Sequence, residues 1–96
     1  MMVLITYDVE TTTSSGAKRL RKVAKECQDY GQRVQNSVFE CVLSEAQFVV
    51  LKNRLSTIID EKKDSIRYYF IGKNWNNRIE KVGKVSSYDV TSELII

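Results

Sequence analysis

The sequence predicts a single α+β domain whose elements run βαββαβ. Three observations support it. The chain opens on a short run of apolar residues, two later segments space apolar residues at helical intervals, and the segments around them are rich in β-branched and aromatic residues. The 96 residues suit one domain with a modest core, residues 1–96 forming a single unit.

Met2 to Val9 is dominated by Met, Val, Leu, Ile and Tyr and reads as a buried central strand. Glu10 to Gly16 is a polar loop. Lys18 to Tyr30 follows as a helix, with Leu20, Val23, Ala24 and Cys27 on one buried face and Gly31 placed as its C′ stop. Gln32 to Leu43 is strand-like. Asn36-Ser37 in its middle reads as a tight turn that makes two antiparallel strands, although one bent strand has the same pattern.

Ser44 starts a second helix, because Ser44-Glu45-Ala46-Gln47 fits the capping box. Phe48, Leu51, Leu55, Ile58 and Ile59 are its apolar stripe. Asp60 to Asp64 is a charged turn, and Ser65 to Ile71 is a strand followed by Gly72. Arg78 to Val82 reads as a short additional strand. Residues 73–96 form a C-terminal extension expected to serve dimer or partner contacts, ending in the apolar Leu94-Ile95-Ile96. The order is ferredoxin-like, an antiparallel sheet with both helices on one face.

Composition narrows the chemistry. A hydrophobic fraction of 43% and a charged fraction of 28% suit a soluble globular protein. The net charge of +3 leans toward polyanionic partners. There is no histidine, which excludes His-based nucleophilic catalysis, HNH-type nuclease chemistry and His-ligated zinc. Cys27 and Cys41 lack C-x-x-C spacing and fall on apolar faces, as reduced core thiols of a cytoplasmic protein do; a disulfide is the lesser alternative. The start of the chain lacks a positive n-region and its apolar run stops at Thr6 and Asp8, so neither a signal peptide nor a membrane span is expected.

Asp8 is the first candidate for chemistry. It is a carboxylate at a strand's end, where a loop begins. Carboxylate oxygens suit Mg²⁺, with Mn²⁺ as the alternative, and such a metal activates water and offsets charge on a phosphate. One carboxylate is a poor site alone, and Glu10 falls on the same side but further out. A symmetric dimer would bring two copies of Asp8 together. The structural alternative is an aspartate that accepts amide hydrogen bonds from the following loop.

The second candidate is a basic segment. Lys18, Arg19, Arg21, Lys22, Lys25 and Arg33 face only Glu26 and Asp29, a local balance of +4. Such a surface suits phosphate backbones without reading sequence; a solvated helix face is the plain alternative. The aromatics Tyr7, Phe39, Tyr68, Tyr69, Phe70 and Trp75 could stack on bases, but the segment Val38 to Val42 lacks the RNP1 arrangement, and core packing explains most of them. Trp75, among Lys73, Asn74, Asn76, Asn77 and Arg78, is a weaker surface candidate. No glycine loop matches a phosphate-binding fingerprint.

Taken together, Tyr7-Asp8-Val9 ending the first strand, the basic first helix, and Gly31-Gln32-Arg33-Val34-Gln35-Asn36-Ser37-Val38-Phe39-Glu40-Cys41 resemble the CRISPR-associated Cas2 family over nearly the whole chain. The second block and the Ile-Ile ending look like the subtype I-C branch. The resemblance implies a ferredoxin-like homodimer acting in CRISPR adaptation, with Asp8 facing its twin and sharing a divalent metal as the catalytic and metal-holding residue. It implies metal-dependent endonuclease activity on single-stranded RNA or double-stranded DNA, and partnership with two dimers of the CRISPR integrase. Arg33 and Phe39 match positions of functional interest in the family. The expected nucleic-acid-binding residues are Arg19, Arg21, Lys22 and Arg33, supported by Tyr7, Ser37 and Phe39. Two alternatives stay open: a non-catalytic DNA-holding adapter in the integrase complex, and a toxin-like messenger-RNA interferase of similar fold.

Overall fold

The computed structural model of the chain describes residues 1–71 and 79–83. The elements are β1 (Met2–Asp8), α1 (Ser14–Gln28), β2 (Gly31–Gln35), β3 (Val38–Val42), α2 (Glu45–Ile58), β4 (Ser65–Ile71) and β5 (Ile79–Gly83). They build one antiparallel sheet in the order β2-β3-β1-β4-β5. The first four strands have the expected ferredoxin-like arrangement, and β5 adds to the edge at β4. Among the described residues, no helix is long and apolar enough to cross a membrane.

Strand alternation decides which face is covered. In β1, Val3, Ile5 and Tyr7 are buried beneath the helices while Asp8 is exposed. Their ladder neighbours Phe39, Cys41, Ile66, Tyr68 and Phe70 are buried with them. From above, α1 contributes Val23 and Cys27, and α2 contributes Phe48, Leu51 and Leu55. Phe48 fixes α2 over β4, with its ring edge-on to Tyr68 at 5.2 Å and to Phe70 at 4.9 Å. Each such side chain contributes about 1.5–3 kcal/mol by leaving water.

Local chemistry corrects several expected boundaries. The first helix begins at Ser14, four residues before Lys18, because the Thr13 hydroxyl accepts the Gly16 amide at 3.1 Å and caps it. It ends at Gln28, and Gly31 is the first residue of β2, not a helix stop. Glycine is needed there for space: a Cβ would strike the Glu40 carbonyl and come within 2.8 Å of Cys41 Cα. The turn at Asn36-Ser37 does divide two strands, with a register shift between Arg33 and Gln35. The capping box forms, with Ser44 N donating to Gln47 Oε1 at 2.9 Å and Gln47 N donating to Ser44 Oγ at 3.1 Å. The extra strand is seen over Ile79–Gly83, and Arg78 lies outside the described residues. Cys27 and Cys41 are free and buried. Gly72, Trp75, the Leu94–Ile96 tail and most of the 73–96 extension lie outside the described residues.

Candidate functional site

The pleat of β1 turns Asp8 onto the sheet face opposite the helices. It is exposed, and its Cα pairs with Ser65 of β4. Its carboxylate has no hydrogen bond or ion pair among the described residues. The loop-capping duty expected as an alternative for Asp8 falls to Glu10. That carboxylate accepts from the Thr12 amide, from Thr12 Oγ1 at 2.7 Å and from the Thr13 amide at 3.3 Å. The Thr12 hydroxyl bond, helped by these amides, holds the Glu10 carboxyl below its usual range. Glu10 is committed to its loop, whereas Asp8 keeps its oxygens available.

The open face also carries cations. Arg67 of β4 lies opposite Thr6, and Lys81 of β5 lies opposite Arg67, so both share the face of Asp8. Arg67 was not among the expected site residues; its strand position between apolar neighbours gave no sign of a function. Oxygen donors of the Asp8 kind suit Mg²⁺ or Mn²⁺, which keep several waters. Among the described residues no three His, Cys, Asp or Glu side chains gather to hold a metal. At the end of β1, Asp8 offers one carboxylate, and a metal site built there needs further oxygen donors.

On the other face, four expected residues do meet. Tyr7 stacks on Phe39 with centroids 6.2 Å apart, and its hydroxyl donates to the Asn36 carbonyl at 3.4 Å. The Tyr7 amide donates to the Ser37 carbonyl at 3.1 Å. Arg33 lies opposite Phe39 in the ladder, with its guanidinium carbon 5.2 Å from the ring centroid. Burial pushes the Tyr7 phenol up, and the nearby Arg33 charge opposes that shift. Arg33 is otherwise exposed on the edge strand β2.

The basic face of α1 divides. Arg21 and Lys22 are exposed, as expected of residues that meet a polyanion. Arg19 turns inward, its Nε 2.7 Å from Asp64 Oδ2. Asp64 is fully buried and was read from the sequence only as part of a charged turn. The single available signal was an aspartate placed where that turn gives way to a strand.

The sequence matches the family profile of CRISPR associated protein Cas2 over residues 1–79. It is 55% identical to the CRISPR-associated endonuclease Cas2 of Halalkalibacterium halodurans, over 99% of each chain. It is 52% identical to the CRISPR-associated endoribonuclease Cas2 of Nitratidesulfovibrio vulgaris, over 100% of this chain and 94% of the relative. The crystal structure of Streptococcus pyogenes Cas2 at pH 6.5 superposes with a TM-score of 0.72 at 66% identity, covering 86% of this chain and 100% of that one.

Proposed function

The chain belongs to the CRISPR-associated Cas2 family, and on that premise we propose that it is a homodimeric, divalent-metal-dependent endonuclease acting in CRISPR adaptation. Its substrate would be RNA or double-stranded DNA, and its partners the dimers of the CRISPR integrase. The observation that carries the reading is the exposed, uncommitted carboxylate of Asp8 at the end of β1.

The open face of the sheet supports the dimer. Leu4, Tyr69 and Ile71 are half-buried on the face away from the helices, and Val42 is 71% exposed. No described element covers that face. A second copy packed there about a two-fold axis would hide these side chains and set two Asp8 carboxylates near each other. Two close carboxylates repel unless a cation or proton intervenes. Asp8 from each protomer would hold the Mg²⁺, and the ion would supply charge neutralisation at a phosphodiester. Arg33, Arg21 and Lys22 would hold the phosphate backbone and orient it. With no histidine in the chain, none can serve as a general base.

The test is cleavage by the purified full chain with Mg²⁺. Asp8→Asn keeps the shape but removes the charge, and should abolish cleavage while leaving duplex binding intact. Cleavage by Asp8→Asn at the wild-type rate would refute the nuclease reading. The second reading is a DNA-holding adapter without catalysis. It is favoured by the exposed Arg21, Lys22 and Arg33, none of which shares the face of Asp8. It expects steeply salt-dependent duplex binding and adaptation in cells that Asp8→Asn does not change.

A further inference from the structure

Resting on the reading of Asp8 above, we infer that Asp64 and Arg19 are a positioning pair that fixes where Asp8 presents its carboxylate. Among the described residues, Asp64 is the charged side chain that is fully buried, at 0% exposure. It directly precedes Ser65, the ladder partner of Asp8. Its Oδ1 accepts the amide of Glu10 at 3.0 Å, two residues beyond Asp8. Its Oδ2 accepts the Asp60 amide at 2.9 Å and Arg19 Nε at 2.7 Å, while Arg19 Nη2 reaches Oδ1 at 3.4 Å. One carboxylate thus joins the exit of β1, the start of β4 and the first half of α1.

Glu10 is gripped from its other sides as well. A Cβ on Gly16 would run into the Glu10 carbonyl, so α1 packs directly on that backbone. The Glu10 side chain is tied to Thr12 and Thr13. Asp8 therefore sits between a ladder pair on one side and an immobilised residue on the other. A ligand-holding carboxylate must be placed to within about 0.5 Å, and that placement comes from the residues behind it. The forked guanidinium–carboxylate pair supplies direction as well as charge. Arg19 is consequently engaged inside the fold and is not one of the phosphate contacts.

The experiment compares wild type, Asp8→Asn, Asp64→Asn and Arg19→Lys as full chains. It measures kcat and KM for cleavage, Mn²⁺ affinity by electron paramagnetic resonance, and exchange of the Glu10 amide by NMR. Asp64→Asn should lose about 10-fold or more in kcat and about 10-fold in Mn²⁺ affinity. Its KM and the salt slope of its duplex binding should stay unchanged, and its Glu10 amide should exchange faster. Arg19→Lys keeps the charge but loses the fork, and should show the same pattern to a smaller degree. If Asp64→Asn does not fold, Arg19→Lys decides. Folded variants that keep wild-type kcat and Mn²⁺ affinity overturn the inference, as does a shallower salt slope in Arg19→Lys. An inactive Asp8→Asn beside a fully active Asp64→Asn sinks the inference alone. An Asp8→Asn that cleaves normally sinks the reading of Asp8 and the inference with it.

Discussion

Removing the hydroxyl of Tyr68 is expected to stabilise the protein. Tyr68 lies in β4 at 0% exposure, beneath Phe48. Its hydroxyl has no hydrogen-bond partner among the described residues. Burial pushes the phenol well above its usual value, so it stays neutral across the working pH range. A buried polar group left unpaired costs about 1–3 kcal/mol in lost hydration. Tyr68→Phe removes that cost and keeps the ring edge-on to Phe48. The space left is one oxygen, less than a methyl group, and a methyl-sized void costs about 1 kcal/mol. The net gain is then about 1 kcal/mol, which for a domain of this size raises Tm by about 4–8 °C. Urea titrations at one fixed protein concentration measure it, since a dimer's stability depends on concentration. Cleavage should not change, because Tyr68 faces the helices and Asp8 faces away from them. A loss of about 1 kcal/mol or more in Tyr68→Phe would refute the reasoning, because it would show that the hydroxyl is satisfied.

Three further outcomes follow from the same geometry. Burial would raise the Asp64 carboxyl, but the Arg19 bond and the amides of Asp60 and Glu10 outweigh it and hold the group below its usual range. A depressed folded-state value stabilises fully above the unfolded value of about 3.9 and is lost as pH falls through the folded one, so wild-type urea midpoints should drop below about pH 4 more steeply than those of Asp64→Asn. At pH 7, Asp64→Ala should lower the urea midpoint clearly, because the Glu10 and Asp60 amides and Arg19 all lose their acceptor. Burial pushes the thiols of Cys27 to about 12 and Cys41 to about 11, so a disulfide reagent at pH 8 should label them only as the chain unfolds, and rapid labelling of folded protein would contradict their packing. Leu4→Lys places a cation on the open face opposite Glu40, a favourable cross-strand pair, so the chain should stay folded. Light scattering should then report monomers, with cleavage lost; an active dimer would argue against the sheet-face contact.

The elements were legible because their patterns are strong and local. The alternation of β1, the stripe Phe48, Leu51 and Leu55, and the Ser44–Gln47 box each need only a few neighbouring residues. The start of α1 was missed because Thr11, Thr12 and Thr13 look like loop, and the cap depends on one hydroxyl meeting the Gly16 amide. Gly31 was misread because its need for glycine comes from β3, which no local pattern reveals. The same limit applies to the site. Asp8 was visible at a strand end, and Arg33 and Phe39 were visible through a resemblance. Asp64 was not, because its partners Glu10 and Arg19 lie 54 and 45 residues away along the chain. Long-range hydrogen bonds leave no periodicity to read.

The adjacent residues Tyr7 and Asp8 invite a reading as one catalytic unit, and the pleat argues against it. Tyr7 points into the core beside Phe39, with Arg33 over that ring. Asp8 points to the opposite face, where Arg67 and Lys81 lie. Within one protomer, Arg33 cannot stand beside a phosphate held at Asp8 unless the nucleic acid bends around the end of the sheet. On the proposed function, binding at Arg33 and cleavage at Asp8 would then fall on different faces of the sheet. Weakening Arg33 should raise KM and flatten the salt slope, whereas weakening Asp8 should lower kcat alone. The cations that share the open face with Asp8 are instead Arg67, placed there by its ladder partner Thr6, and Lys81, placed there by Arg67.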